Sequence, residues 1–196
     1  FLGTIGHLGC LSFHETKNII SGEGGALLIN EGLFNDRAEI IREKGTNRSQ
    51  FFRGLVDKYT WVDIGSSYLP SEIISAFLFA QMEMADKIVA ARREIFFKYR
   101  DSLKHLEDRG VIRLPFVDKG SSNNGHIFYI IASSQKERDS LMEYLNSHGI
   151  KAIFHYVPLH SSPAGRKYGR VSGSMQRTDT LSGGLLRLPL YYGMND

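Results

Sequence analysis

A single cysteine, Cys10, stands among 196 residues. That excludes an intramolecular disulfide and any metal site built from several thiolates, and it fits a reducing compartment such as the cytoplasm. No apolar run approaches the ~20 residues that a membrane-crossing helix requires. Charge of one sign is scarce as well: 24 Lys plus Arg against 21 Asp plus Glu leave +3. The basic residues are scattered, which disfavours a nucleic-acid surface. Walker loops, a GxGxxG between strand and helix, a GxSxG elbow and an HExxH helix are all missing, so none of those chemistries is expected. No basic and apolar leader pattern opens the chain at Phe1-Leu2-Gly3, and it closes on the apolar run Leu190-Tyr191-Tyr192-Gly193-Met194. Both ends read like interior sequence, and the expectation is part of a longer protein.

What is present is ordinary for a globular protein: 42% apolar, 11% aromatic and 23% charged residues, enough for one or two domains with real cores. Strands are expected at Gly9–Phe13 and Ala26–Asn30, then a helix over Leu33–Lys44 capped by Asn30 or Asn35. From Gly45 to Pro70 no period is visible, which marks a long functional or interface loop. Ile73, Phe77, Ala80, Met84, Ile88, Ala91, Ile95 and Tyr99 recur at steps of three and four after Ser71, a candidate N-cap. They predict one helix from Glu72 to Leu106, roughly 50 Å long at ~1.5 Å per residue, linking two bodies. Past Gly110 the pattern becomes strand (Val111–Phe116), turn (121–125), a strand apolar nearly throughout and so buried on both faces (His126–Ala132), helix (Glu137–His148), strand (Lys151–Val157) and a fourth strand (Arg187–Tyr191). That is a small two-layer α/β domain, with the boundary near Arg109.

Lys17 is the most informative candidate for chemistry, because it follows a strand and precedes Gly22, Gly24 and Gly25. Most lysines are solvated surface residues. A lysine desolvated at a strand end can instead present a neutral amine to a carbonyl and form a Schiff base. Ser12, on the strand before it, offers a hydroxyl to a phosphate. His14 reads either as a loop residue or as the wall of a site. His155 and His160 flank Tyr156-Val157-Pro158-Leu159. They lack the carboxylate or cysteine partners of a metal site, so no metal is expected, and they read as structural or as substrate contacts.

The string Gly9-Cys10-Leu11-Ser12-Phe13-His14-Glu15-Thr16-Lys17-Asn18, with Gly22-Glu23-Gly24-Gly25-Ala26 after it, resembles the lysine signature of the DegT/DnrJ/StrS-type nucleotide-sugar aminotransferases. Further matches are Arg42–Arg48, Asp63–Tyr68, Phe154–His160 and Leu186–Leu190. The resemblance implies a pyridoxal 5'-phosphate enzyme of the aspartate aminotransferase-like fold type I. Residues 1–109 would be the C-terminal part of its large cofactor-binding domain, including the linking helix, and residues 110–196 a truncated small α/β domain. It implies Lys17 as the catalytic lysine bound to the cofactor, Ser12 and Ser67 as phosphate contacts, and His14 and His160 on the substrate side. Ser67 and Leu69 stand where many members carry the asparagine and arginine of an inter-subunit Gly-x-Asn-x-Arg string. Ser182-Gly183-Gly184-Leu185 departs from the helix-favouring residues expected before Leu186, two glycines costing about 2 kcal/mol of helix propensity.

The matched strings are similar to members that aminate dTDP-4-dehydro-6-deoxyglucose at C4 with glutamate as donor. That reaction yields dTDP-4-amino-4,6-dideoxygalactose for bacterial surface polysaccharides such as enterobacterial common antigen and O-antigen. The resemblance also implies a homodimer with shared active sites. In the family the aspartate facing the pyridine nitrogen lies upstream of the lysine strand, so this chain alone is expected to be inactive. The alternatives are a non-catalytic binding relative, which would have no use for the Lys17 amine, and a 3-keto-sugar aminotransferase. A related dehydratase would carry histidine at position 17.

Overall fold

The computed structural model describes residues 1–194. Cα packing divides the chain into two compact units, Phe1–Ala85 and a second beginning at Asp86. The division therefore falls ahead of the boundary expected near Arg109.

In the first unit, β1 (Leu8–Ser12) and β2 (Gly25–Ile29) form an antiparallel pair, registered from Leu8↔Ile29 to Ser12↔Gly25. A 3-10 turn at Gly32–Phe34 leads into α1 (Asn35–Arg42). Neither Asn30 nor Asn35 caps that helix: its N-cap is Phe34, with no side-chain bond. Asn30 is engaged elsewhere, its Nδ2 donating to the carbonyls of Thr4 and Gly6 at 2.8 and 2.7 Å. The stretch expected to be one long loop contains α2 (Arg48–Phe52) and is knitted to α1 by main-chain bonds. The Ser66 and Tyr68 N–H groups donate to the Ile41 and Arg42 carbonyls, and the Lys44 N–H donates to Ser66. Lys44 is held at φ 63, and Gly45 follows at φ 77. A Cβ on Gly45 would collide with the Asp63 carbonyl, so only glycine allows the two segments to approach here.

Ser71 caps α3 (Glu72–Glu83) as its position predicts, its Oγ accepting the Ile74 N–H at 3.3 Å. The expected single helix is two. Met84 leaves the helical region (φ −99, ψ 3), its N–H bonds to the Gln81 carbonyl three residues back, and α4 (Ala85–Asp108) starts afresh. The apolar steps of three and four run straight across this break, so periodicity carried no sign of it.

The second unit is an antiparallel sheet ordered β3 (Ile112–Arg113), β4 (Phe128–Ala132), β6 (Leu185–Leu188), β5 (Ile153–Phe154). Helix α5 (Gln135–Ser147), capped by Ser134, joins β4 to β5. Helix α6 (Pro163–Tyr168), which has no counterpart in the sequence expectation, and α7 (Gln176–Gly184), which stands where helix-favouring residues were expected before Leu186, then lead back so that β6 inserts between β4 and β5. Phe128, Ile130 and Ala132 are buried while Tyr129 and Ile131 are only half-buried. One face of β4 therefore meets the core, not both, as is usual for an antiparallel sheet. That core is Phe96 of α4 with Ile112, Leu114, Phe128, Ile130, Ala152 and Leu186, flanked by Tyr99, Leu103 and Leu106 of α4 and Leu141, Met142 and Leu145 of α5. Phe96 meets Phe128 edge-on, with centroids 5.1 Å apart, and Tyr99 stacks on the same ring at 4.9 Å.

Each strand is shorter than or displaced from its expected span, for a reason that can be named. The Leu114 N–H leaves the β3 ladder for Glu107 Oε1 at 2.9 Å. The Gly125 and His126 carbonyls, just ahead of β4, accept from the buried Arg92 guanidinium at 3.0 and 2.7 Å. The Ala152 carbonyl, at the start of the third predicted strand, accepts from Asn146 Nδ2 at 3.0 Å. Pro189 has no N–H with which to continue β6, so the strand predicted at Arg187–Tyr191 lies earlier, at Leu185–Leu188. Gly184, where α7 passes directly into β6, is buried, and a Cβ there would lie 2.6 Å from the Ala132 carbonyl oxygen. The glycine that looked unfavourable for a helix is the residue that lets α7 touch β4.

Candidate active site

The β1–β2 pairing continues past the strands and closes the loop that carries Lys17. The Phe13 N–H donates to Gly24, the Glu15 N–H to Gly22 and the Ser21 N–H to Phe13, at 2.9, 2.8 and 2.7 Å. Buried Ser21 donates its hydroxyl to the Glu23 carbonyl at 2.7 Å. The Lys17 N–H donates to the His14 carbonyl at 2.9 Å, which fixes its main chain. Its side chain is exposed, and its amine makes no hydrogen bond among the described residues.

Ser12 and His14 belong to the same network. Ser12 Oγ accepts the His14 N–H at 3.4 Å, leaving its own proton free to be donated outward. His14 Nδ1 accepts the Thr16 N–H at 3.2 Å and lies 3.0 Å from the Thr16 hydroxyl. A ring nitrogen that accepts a main-chain N–H carries no proton itself, so the proton resides on Nε2, which lies 3.5 Å from Glu23 Oε1. Thr16 and Glu23 therefore orient His14, although neither stood out in the sequence.

Ser67 is positioned by other means. It forms an antiparallel bridge with Glu43, and its exposed hydroxyl makes no hydrogen bond among the described residues. Three arginines of this unit are engaged. Arg53 makes two bonds to the Glu39 carboxylate at 2.8 and 2.7 Å, Arg37 pairs with Asp63, and the Arg48 guanidinium sits 5.0 Å from the centre of the Phe52 ring. The Arg53 hydrogen bond holds the Glu39 carboxyl below the usual carboxylate range.

The other histidines lie in the second unit. His155 has a buried Nδ1 with no hydrogen-bond partner, and burial first, then the charge of Arg187, pushes its pKa down. His160 sits in a 3-10 turn, Leu159–Ser161, with Nε2 2.9 Å from Asp179 Oδ1 of α7. No spacing pattern links these two residues, so only the fold could pair them.

In chemical terms, Lys17 and Ser12 supply a primary amine and a hydroxyl from one strand and its loop, groups that suit a carbonyl and an anion, while Ser67 offers its hydroxyl from a different segment, bridged to Glu43. The whole described sequence and its ends, residues 1–196, match the model of the DegT/DnrJ/EryC1/StrS aminotransferase family, and the chain belongs to that family. It is 28% identical over 192 residues to a dTDP-3-amino-3,4,6-trideoxy-alpha-D-glucose transaminase of Micromonospora megalomicea, covering 96% of this chain and 48% of the relative. It is 29% identical over 168 residues to a GDP-perosamine synthase of Vibrio cholerae, covering 83% and 42%. A DegT DnrJ EryC1 StrS aminotransferase structure from Brucella abortus superposes with a TM-score of 0.83 at 25% identity, over 99% of this chain and 48% of that one. The chain spans about half the length of the relatives it matches.

Proposed function

We propose that the protein is a pyridoxal phosphate-dependent aminotransferase of a nucleotide-linked keto sugar, with Lys17 as its catalytic lysine. One observation carries the reading: the closed loop fixes the Lys17 main chain and leaves its amine unpaired, and the strand that leads into it carries a Ser12 hydroxyl free to donate. The amine and the hydroxyls fit the aldehyde and the phosphate of that cofactor. When bound, the cofactor supplies the electron sink that makes the donor's Cα–H acidic. Lys17 would hold the aldehyde and move the proton at the donor's Cα, Ser12 and Ser67 would donate to the phosphate, and His14 and His160 would each contact the sugar nucleotide. Glutamate leaves as 2-oxoglutarate, and its amine replaces the keto oxygen of the sugar.

The proposed substrate is dTDP-4-dehydro-6-deoxyglucose and the product dTDP-4-amino-4,6-dideoxygalactose, for a surface polysaccharide such as enterobacterial common antigen or O-antigen. Family membership supports this reading no further than a sugar aminotransferase. A 3-keto sugar is the second reading, favoured by the Micromonospora relative's name. We propose cytoplasmic action, on cysteine usage, as a homodimer in which further protein covers the exposed Lys17 and Ser12. Residues 1–109 and 110–196 would then be parts of the large and small domains, and this chain by itself would not turn over. The test is the visible absorbance of added pyridoxal phosphate in a complete protein carrying this chain, present in wild type and absent in Lys17→Ala. Mass detection of products from dTDP-linked 3-keto and 4-keto sugars follows. A wild-type protein that takes up no cofactor sinks the proposal, and product from 3-keto sugars alone refutes the C4 assignment.

A further inference from the structure

We infer that His14 is a positioning residue for Lys17: its ring Nδ1 accepts the Thr16 N–H and so closes the turn from which Lys17 projects. The inference rests on the proposed function only for the chemistry that Lys17 performs. Every main-chain N–H from Phe13 to Lys17 finds an acceptor within the loop. Three of those acceptors are carbonyls: the Phe13 N–H donates to Gly24, the Glu15 N–H to Gly22 and the Lys17 N–H to His14, at 2.9, 2.8 and 2.9 Å. The other two are side chains, one after the other. Ser12 Oγ takes the His14 N–H at 3.4 Å, and His14 Nδ1 takes the Thr16 N–H at 3.2 Å. Each bond reaches two residues ahead, the pattern by which a serine or asparagine side chain stands in for a backbone turn.

His14 therefore fills in this loop the place an asparagine commonly takes. It holds the turn at two points, through its carbonyl at Lys17 and through its ring at Thr16. The exposed Lys17 side chain makes no hydrogen bond of its own among the described residues, so the turn alone sets the point from which the amine swings. The Thr16 N–H needs a lone pair on Nδ1, which the neutral ring supplies only with its hydrogen on Nε2. A doubly protonated ring carries a hydrogen on Nδ1 instead. The Thr16 hydroxyl, 3.0 Å away, can accept that hydrogen, but the Thr16 N–H is then left without an acceptor. The charged groups around the ring are Glu23 on the returning limb, with Oε1 3.5 Å from Nε2, and Glu15 and Lys17 on the limb of His14 itself.

Replacement separates an acceptor from an imidazole with some other task. Asparagine at position 14 keeps an oxygen for the Thr16 N–H and has no ring, whereas alanine has neither. In the complete protein carrying this chain, labelled with 15N at threonine and histidine, the Thr16 amide should exchange with solvent at similar rates in wild type and His14→Asn. In His14→Ala it should exchange ~fivefold faster, the worth of one net hydrogen bond. As His14 takes up its second proton, followed by its own ring signals, wild type should lose the same protection while His14→Asn keeps it. Equal exchange in wild type and His14→Ala overturns the inference, and so does a neutral His14 ring with its hydrogen on Nδ1. Asparagine that behaves like alanine overturns it too, because the ring would then matter for something other than its acceptor. The acid titration and the ring signals need no variant, so they decide the matter if His14→Ala does not fold. The consequence for Lys17 is read from the rate at which added pyridoxal phosphate develops its visible absorbance, slowed by a similar factor in His14→Ala and restored in His14→Asn. Uptake is followed, not turnover, because loss of the ring would also remove its proposed contact with the sugar nucleotide. Uptake as fast in His14→Ala as in wild type refutes the positioning of Lys17. Wild type that takes up no cofactor refutes the proposed function, while the Thr16 amide still decides whether His14 holds the turn.

Discussion

Gly183 and Gly184 are adjacent in the last turn of α7, and local propensity treats them alike: replacing either with alanine should stabilise the helix by ~0.5–1 kcal/mol. Their surroundings separate them. A Cβ on Gly183 would meet Gln135 Cβ at 3.6 Å, ordinary van der Waals contact. A Cβ on Gly184 would lie 2.6 Å from the Ala132 carbonyl oxygen and 3.2 Å from Ile131 Cγ2, so β4 or the end of α7 must move. Overpacking of that kind costs ~1–3 kcal/mol. Set against the propensity gain, Gly184→Ala should be destabilising by ~0.5–2 kcal/mol, whereas Gly183→Ala keeps the whole gain. With urea m-values of ~1–3 kcal/mol/M, the two unfolding midpoints should move in opposite directions by a few tenths of a molar or more, at unchanged m. If Gly184→Ala stabilised as much as Gly183→Ala, the close packing of α7 on β4 would be refuted.

Other expectations are equally specific. Phe128 is fully buried between Phe96 and Tyr99, so Phe128→Ala should lose ~3–5 kcal/mol in chemical denaturation, and a loss below ~1 kcal/mol would place the ring outside the core. The Glu39 carboxyl, held below the ordinary range chiefly by the Arg53 hydrogen bond, should titrate normally by NMR in Arg53→Gln. Because its folded pKa is depressed, the stability it contributes is present above the unfolded carboxylate pKa and is lost as pH falls through the folded value. Burial and Arg187 depress His155 in the same sense. The unfolded chain therefore takes up this proton first, and stability should decline as pH falls below ~6.5 towards the folded pKa. His155→Gln should flatten that decline, and an unchanged profile would clear His155 of it.

The legible parts of this protein were those with local causes. β1, β2, the Ser71 cap and helix α5 follow from alternation, glycine placement and a side chain that reaches its own helix. The lysine signature was equally legible, because Ser12, His14 and Lys17 lie within one short stretch and the loop closes on itself. Misread were the places where a distant group captures a main-chain atom. Arg92 takes the Gly125 and His126 carbonyls from the head of β4, and Glu107 takes the Leu114 N–H from β3. The break at Met84 was invisible because the apolar pattern is the same on both sides of it.

The sequence by itself determined the family, the lysine loop and the alternation of strands and helices, since each rests on residues adjacent in the chain and on interactions no longer than a turn. Only the tertiary structure decided that β6 inserts between β4 and β5, that Gly184 is a packing requirement and that Asp179 comes within 2.9 Å of His160. These depend on which surfaces meet across long stretches of chain. Burial and hydrogen-bond satisfaction select among such meetings, and neither is written in the spacing of the residues themselves.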